Sequence, residues 1–137
     1  MRIRGSFEQA ICIVLLISTS EKPMKSYELS QRLMVSDSYL KKIMRQLVTH
    51  DVVTSIASKN GGFVLTRPCE AITLLDLFNA IEGEEAFAVS TALVDKVFTT
   101  QKEVHEKEEQ IMAYLNQAEK EYRQKLKEIS IAQIIHA

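Results

Sequence analysis

The spacing of apolar residues divides the chain into a short series of elements. Phe7 and the run Ala10 to Ile17 predict a first core helix from about Ser6 to Ser18, closed by a polar stretch, Ser18 to Lys25, that contains Pro23. Ser26 is a candidate cap for a shorter helix carrying Leu29 and Leu33 on one face. Only Met34 and Val35 separate it from Ser36, a second candidate N-cap. Beyond Ser36, Leu40, Ile43, Met44 and Leu47 recur at spacings of three and four and form one buried stripe. Ser38, Lys41, Lys42 and Arg45 recur at the same spacings on the opposite side, which is polar and basic. Asp37 falls in the first turn, where the helix dipole favours a negative charge.

Two amphipathic helices joined so tightly must cross steeply, which is the spacing of a helix-turn-helix whose second helix enters the major groove of DNA. Val52 to Ala57 and Phe63 to Arg67 then read as two strands, with Ser58, Lys59, Asn60, Gly61 and Gly62 supplying the turn. Helix, turn, helix and hairpin in this order predict a winged helix. Its hairpin tip, Lys59, Asn60 and Gly61, is placed to touch the sugar-phosphate backbone, and the Gly pair permits backbone angles other residues resist. Thr73 with Asp76 predicts the cap of a further helix that ends at Gly83, and Glu84 to Val89 reads as a connector.

From about Thr91 to Lys127 the chain has no Gly or Pro and is dense in Glu, Lys and Gln, which predicts a long helix or two in register. Val97, Val104, Ile111, Leu115, Ala118, Tyr122, Leu126 and Ile129 step along it as a narrow apolar seam. A seam this narrow on a charged helix wants a partner, and a second copy of the chain is the expected one; the alternative is a helix docked on its own domain. Ser130 and Gln133 form a capping box that predicts a short helix through Ile131, Ile134 and Ile135, folding back to close the structure. The expected division is a winged helix-turn-helix domain, 1–83, and a connector, dimerisation helix and short C-terminal helix, 84–137. The fold class is mainly α with a small β-hairpin.

Charge sharpens this picture. The net charge of −1 is uninformative, but Met1 to Glu70 holds 10 Lys and Arg against 6 Asp and Glu, and Ala71 to Ala137 holds 7 against 12. The N-terminal half is the one suited to phosphates. Candidate DNA-facing residues are therefore Arg2, Arg4, Ser36, Ser38, Tyr39, Lys41, Lys42 and Arg45, with Lys59, Asn60 and Gly61 on the wing. A length of 137 residues with 46% hydrophobic content fits one ordinary core with an appended arm. Two cysteines, Cys12 and Cys69, make no disulfide framework, and a reducing cytoplasm is the expected location. Arg2 and Arg4 before the run Ala10 to Ile17 imitate a signal peptide, but Glu8 interrupts and the run is well short of the ~20 residues that span a bilayer, so no membrane role is expected.

Several of these stretches carry a family resemblance. Ser36-Asp37-Ser38-Tyr39-Leu40 with Ile43 and Leu47 is similar to the recognition helix of the Rrf-two (Rrf2) family of bacterial winged helix-turn-helix transcription regulators. Gly61-Gly62-Phe63-Val64-Leu65-Thr66-Arg67-Pro68 resembles the family's wing, and Ile72 to Asp76 with Ile81-Glu82-Gly83 resembles the helix that follows. The resemblance implies a homodimer, paired through the long helix, that binds a roughly palindromic operator in double-stranded DNA, most often as a repressor. Several members hold an iron-sulfur cluster through cysteines between the equivalent of Gly83 and the long helix. Glu84 to Ala137 contains no cysteine, so a cluster-less member with no cofactor and no metal site is expected. Many relatives also have an acidic residue where this chain has Lys41, so their operator sequence does not carry over.

Catalytic chemistry is not expected. His50, His105 and His136 have no Cys or His at ligand spacing, no phosphate-binding Gly loop is present, and no enzyme activity is inferred. Cys12 reads as a small core residue. Cys69, after Pro68 and near Arg67, is a candidate redox thiol, opposed by neighbouring Glu70 and by the lack of a resolving cysteine. The expected function is a sequence-specific transcription regulator, with a winged-helix protein-interaction module that has lost DNA affinity as the alternative. The effector and any further protein partner are not named by the sequence.

Overall fold

The computed structural model describes residues 4–137. Helix α1 (Gly5–Thr19) buries Phe7, Ala10, Ile13, Val14 and Ile17. Cys12, expected in the core, lies off this stripe and is half-buried. Helix α2 (Ser26–Leu33) begins one residue earlier than expected: Lys25, not Ser26, is its N-cap, because the Glu28 carboxylate accepts the Lys25 N–H at 3.1 Å. Met34 ends α2 in left-handed backbone, φ 57°, with the Val35 N–H donating to the Ser30 carbonyl at 3.0 Å.

Helix α3 (Asp37–Thr49) starts at Ser36, whose hydroxyl accepts the Tyr39 N–H at 3.3 Å. Leu40, Ile43, Met44 and Leu47 are each no more than 2% exposed. Burying four such side chains contributes about 1.5–3 kcal/mol apiece, which fixes the rotation of the helix and so its outer face. Strands β1 (Val53–Ile56) and β2 (Gly62–Leu65) pair antiparallel, Val53 opposite Leu65 and Ile56 opposite Gly62. Strand β2 stops two residues before the expected Arg67. The Thr66 N–H still reaches the Val52 carbonyl at 3.0 Å, but Arg67 is drawn aside by its own side-chain bonds to Asp51, Ala71 and Asp76.

Met24 pairs with Phe63 through two backbone bonds, 3.1 and 2.7 Å, so the segment before α2 lies along the hairpin as a third extended piece. The two glycines of the turn are required by close approach. A Cβ on Gly61 would stand 1.9 Å from the Ile56 carbonyl oxygen, and one on Gly62, at φ 148°, would stand 2.7 Å from Met24.

Helix α4 (Leu74–Glu82) is capped reciprocally by Thr73 and Asp76 and ends at Gly83. Its Phe78 meets Phe7 of α1 edge-to-face, centroids 5.5 Å apart. Helix α6 (Ile131–Ile135), opened by the Ser130 and Gln133 box, buries Ile131 and Ala132, while Ile134 is exposed. Backbone bonds from Leu74 to Ile129 (2.9 Å) and from Ile131 to Ile72 (2.8 Å) fasten it beside the start of α4. Residues 126–137, expected with the dimerisation segment, therefore form one compact unit with residues 4–83.

Residues 84–125 form the other unit, most of it helix α5 (Gln101–Lys127). The helix expected from Thr91 begins ten residues later in the chain. Ala92 adopts left-handed backbone, a 3-10 turn follows at Leu93–Lys96, and the Thr100 hydroxyl accepts the Glu103 N–H at 3.2 Å. Ser and Thr hydroxyls here offer the backbone an alternative to helix: the Ala92 N–H donates to Ser90 rather than to a helical carbonyl. Among the described residues no helix is long and apolar enough to cross a membrane.

Candidate nucleic-acid interface

The outward side of α3 carries Ser38, Lys41, Lys42 and Arg45, all exposed, with Tyr39 at 41% exposure. Because Leu40, Ile43, Met44 and Leu47 are held in the core, the four polar positions are brought together on one ridge. Lys41 is engaged by Asp37 at 3.0 Å, an exposed pair one turn apart that contributes little to stability. Lys42 and Arg45 have no carboxylate partner among the described residues. Ser36 spends its hydroxyl on the cap, so its place is at the start of the ridge, and its side chain is committed to the helix.

The other expected residues divide. Arg2 lies outside the described residues. The Arg4 guanidinium pairs with Glu82 at 3.2 Å, and its N–H donates to the same carboxylate, so Glu82 supplies the cap that α1 lacks from its own sequence. Arg4, Tyr39, Lys42 and Gln46 line a small hollow of about 190 Å³ between α1 and α3. On the wing, Lys59 and Asn60 are exposed, whereas Gly61 is buried and serves the turn.

The apolar seam is only partly free. Ile111, Tyr114 and Leu115 are 45%, 67% and 47% exposed on α5, but Tyr122 packs edge-to-face on Phe87 of its own chain, centroids 5.8 Å apart. Arg123 lies over the same Phe87 ring at 5.0 Å, donates to the Glu85 carbonyl and pairs with Glu119 at 2.9 Å. The Phe87 N–H donates to Glu119 at 2.7 Å; this bond first, and the Arg123 side chain second, hold the Glu119 carboxyl below its usual range. Further along, Ser90 hydrogen-bonds Glu108. Leu126 and Ile129, expected in the seam, belong to the unit of residues 4–83 and 126–137. Val104 is half-buried and Ala118 exposed.

Residues 3–137 match the family model Rrf2, described as an iron-dependent transcriptional regulator. The chain belongs to the Rrf2 family. YffB of Lactococcus lactis, named as an HTH-type transcriptional regulator, is 32% identical over 136 residues, 98% of this chain and 86% of that protein. YwgB of Bacillus subtilis, named likewise, is 40% identical over 100 residues, 72% of this chain and 64% of that protein. Of solved structures, CymR, the global cysteine regulator of B. subtilis, superposes with a TM-score of 0.69 at 19% identity, covering 98% of this chain and 95% of that one. IscR of T. potens gives 0.67 at 18% identity, covering 99% and 87%. These two likenesses establish the fold: mainly helical, with a winged helix-turn-helix. Rrf2 proteins are transcription regulators rather than enzymes, in line with the expectation from sequence.

The iron in that family description requires a set of donors. Iron-sulfur groups need several thiolates. This chain has Cys12 on α1, Cys69 at the wing exit and no cysteine in 84–137. Among the described residues no three His, Cys, Asp or Glu side chains are grouped to hold a metal, and His105 is occupied by Glu109 at 3.2 Å on an exposed helix face. The residues present do not fit such a group. The redox reading of Cys69 loses its main support as well, since the Arg67 guanidinium is committed to Asp76 and to the carbonyls of Asp51 and Ala71.

Glu82 and the set Phe87, Glu119 and Arg123 were not anticipated. The long-range pairing of Arg4 with Glu82 leaves no trace in local spacing. For the second set a faint signal exists, Glu119 and Arg123 at i, i+4 on a helix.

Proposed function

We propose that this Rrf2 protein acts as a homodimeric repressor that binds a roughly palindromic operator, reading it with α3 and steadying it with the wing. The reading is carried by one observation: a ridge of Ser38, Lys41, Lys42 and Arg45 backed by a stripe that is wholly buried, so the basic residues are presented on a rigid helix. Arg and Lys in such positions pair with guanine acceptors in the major groove or with flanking phosphates. Pairing of two copies draws support from the exposed Ile111, Tyr114 and Leu115 on a helix with no buried residue of its own. No iron-based sensing enters this reading.

Selection of bound fragments from a randomised duplex pool supplies the operator, and binding across a salt series tests the mode. Wild type binds with a steep negative salt slope, because neutralised phosphates release counterions. Lys42→Ala with Arg45→Ala weakens operator binding about a hundredfold, at ~1–3 kcal/mol per lost contact. A folded, dimeric double variant that binds as wild type does removes α3 as the reader and advances the protein-interaction alternative.

A further inference from the structure

A cleft of about 730 Å³ lies between the α1–α2 segment and the hairpin tip. Lys22, Lys25 and Lys59 line it, with Asn60, Glu21 and Glu28. We propose that this cleft is a phosphate clamp, in which Lys22 and Lys25 join Lys59 on one strand of the DNA backbone; the proposal rests on the DNA-binding reading above and extends it to two residues of the segment that leads into α2.

Three observations converge on it. First, the cleft is continuous with the wing tip, since Lys59 and Asn60 belong to both. Second, the cations are available. None of the three lysines has a carboxylate partner among the described residues, and the Lys25 ammonium donates one bond, to the Lys59 carbonyl at 3.0 Å, leaving two of its three N–H donors. Of the two acids present, Glu28 has one carboxylate oxygen occupied by the Lys25 N–H. Third, the floor is held rigidly. Met24, between Lys22 and Lys25, is bonded both ways to Phe63, Gly62 closes against Met24 without room for a Cβ, and Pro23 restricts the remaining turn. The bond from the Lys25 ammonium to the Lys59 carbonyl ties the segment before α2 to the hairpin, so the lysines that line the cleft stand on one preformed backbone.

The ligand chemistry is that of an extended polyanion. A single small anion would leave most of a 730 Å³ open cleft unfilled, whereas a sugar-phosphate strand passing from the wing tip places successive phosphates along it.

Binding of the full chain to a random-sequence duplex and to a pool-selected duplex, each over a salt series, tests the proposal with Lys22→Gln, Lys25→Gln and Lys25→Arg. Each Gln variant lowers the magnitude of the salt slope by about one on both duplexes alike, since a phosphate contact carries no base information. Lys25→Arg retains the wild-type slope. If Lys25 only braces the wing, Lys25→Gln loses affinity while its slope, and that of Lys22→Gln, stay at the wild-type value; this outcome overturns the clamp. A wild-type protein with no salt-dependent duplex binding overturns the DNA reading, and the clamp with it. Retained slopes in variants of a protein that does bind overturn the clamp alone.

Discussion

The Arg67 guanidinium meets the Asp76 carboxylate at 2.8 Å while donating to the backbone carbonyls of Asp51 and Ala71. One side chain thus joins the exit of the wing, the turn after α3 and the cap of α4. Asp76 answers twice, since the same oxygen accepts the Thr73 N–H at 2.8 Å. Both side chains are about one third exposed, so the ion pair itself adds little. The cost of Asp76→Ala comes from the lost cap and the unpaired Arg67, about 1–2 kcal/mol. Denaturant titration should show the midpoint fall at constant m. Arg67→Ala in the same background should cost less than in wild type, because the two act on one network; fully additive losses would contradict that coupling.

Met34 offers the opposite experiment. It holds left-handed backbone, φ 57°, at the end of α2, and is 92% exposed. Its side chain contributes almost no burial, and a non-glycine residue pays a steric penalty in that region. Met34→Gly should therefore stabilise the fold by about 0.5–1 kcal/mol, read as a higher denaturant midpoint. A lower midpoint would mean that the left-handed geometry is not strained for methionine here.

Local spacing carries the elements of this fold, and contacts between distant positions escape it. The stripe Leu40, Ile43, Met44 and Leu47 and the caps Ser36, Thr73 and Ser130 were legible because each is a local rule with a fixed spacing. The hairpin is legible from its turn, whereas the burial of Gly61 against the backbone of Ile56 is not. The start of α5 at Gln101 is not legible from the absence of Gly and Pro, because the Ser90 and Thr100 hydroxyls redirect the backbone before it. The pairs Arg4 with Glu82 and Phe87 with Glu119 join residues far apart in sequence, which spacing cannot register. For the same reason spacing does not register the cleft holding Lys22 and Lys25, which depends on the long-range bonds between Met24 and Phe63.

The Glu119 contact makes a pH prediction. Its carboxyl titrates below the ordinary value of 4.5, held down by the Phe87 N–H and Arg123. A depressed folded value means the carboxylate stabilises the folded form; that contribution is fully present above about pH 4.5 and is lost as pH falls through the folded value. The Phe87 amide resonance should shift along a titration centred below 4.5, and Glu119→Gln should abolish that shift. A midpoint at or above 4.5 would mean that the connector is not clipped to α5 in solution.

The last prediction concerns assembly. Ile111, Tyr114 and Leu115 lie one turn apart on α5 and expose apolar surface, whereas Tyr122 of the same seam is already covered by Phe87. If the two copies pair through the exposed part, Ile111→Glu with Leu115→Glu places charges in an apolar contact, where each pays for desolvation. Sedimentation should then show wild type as a dimer at micromolar concentration and the variant as a monomer. Tyr122→Ala, by contrast, should weaken dimerisation much less, because its ring is engaged within its own chain. If the dimer binds a palindromic operator as proposed, its two copies of α3 meet successive turns on one face of the duplex, so about five added base pairs between half-sites turn one half-site away. That insertion should abolish tight binding by wild type and leave the weak binding of the monomeric variant unchanged. A wild-type protein that tolerates the insertion without loss binds each half-site independently, and the operator need not be palindromic.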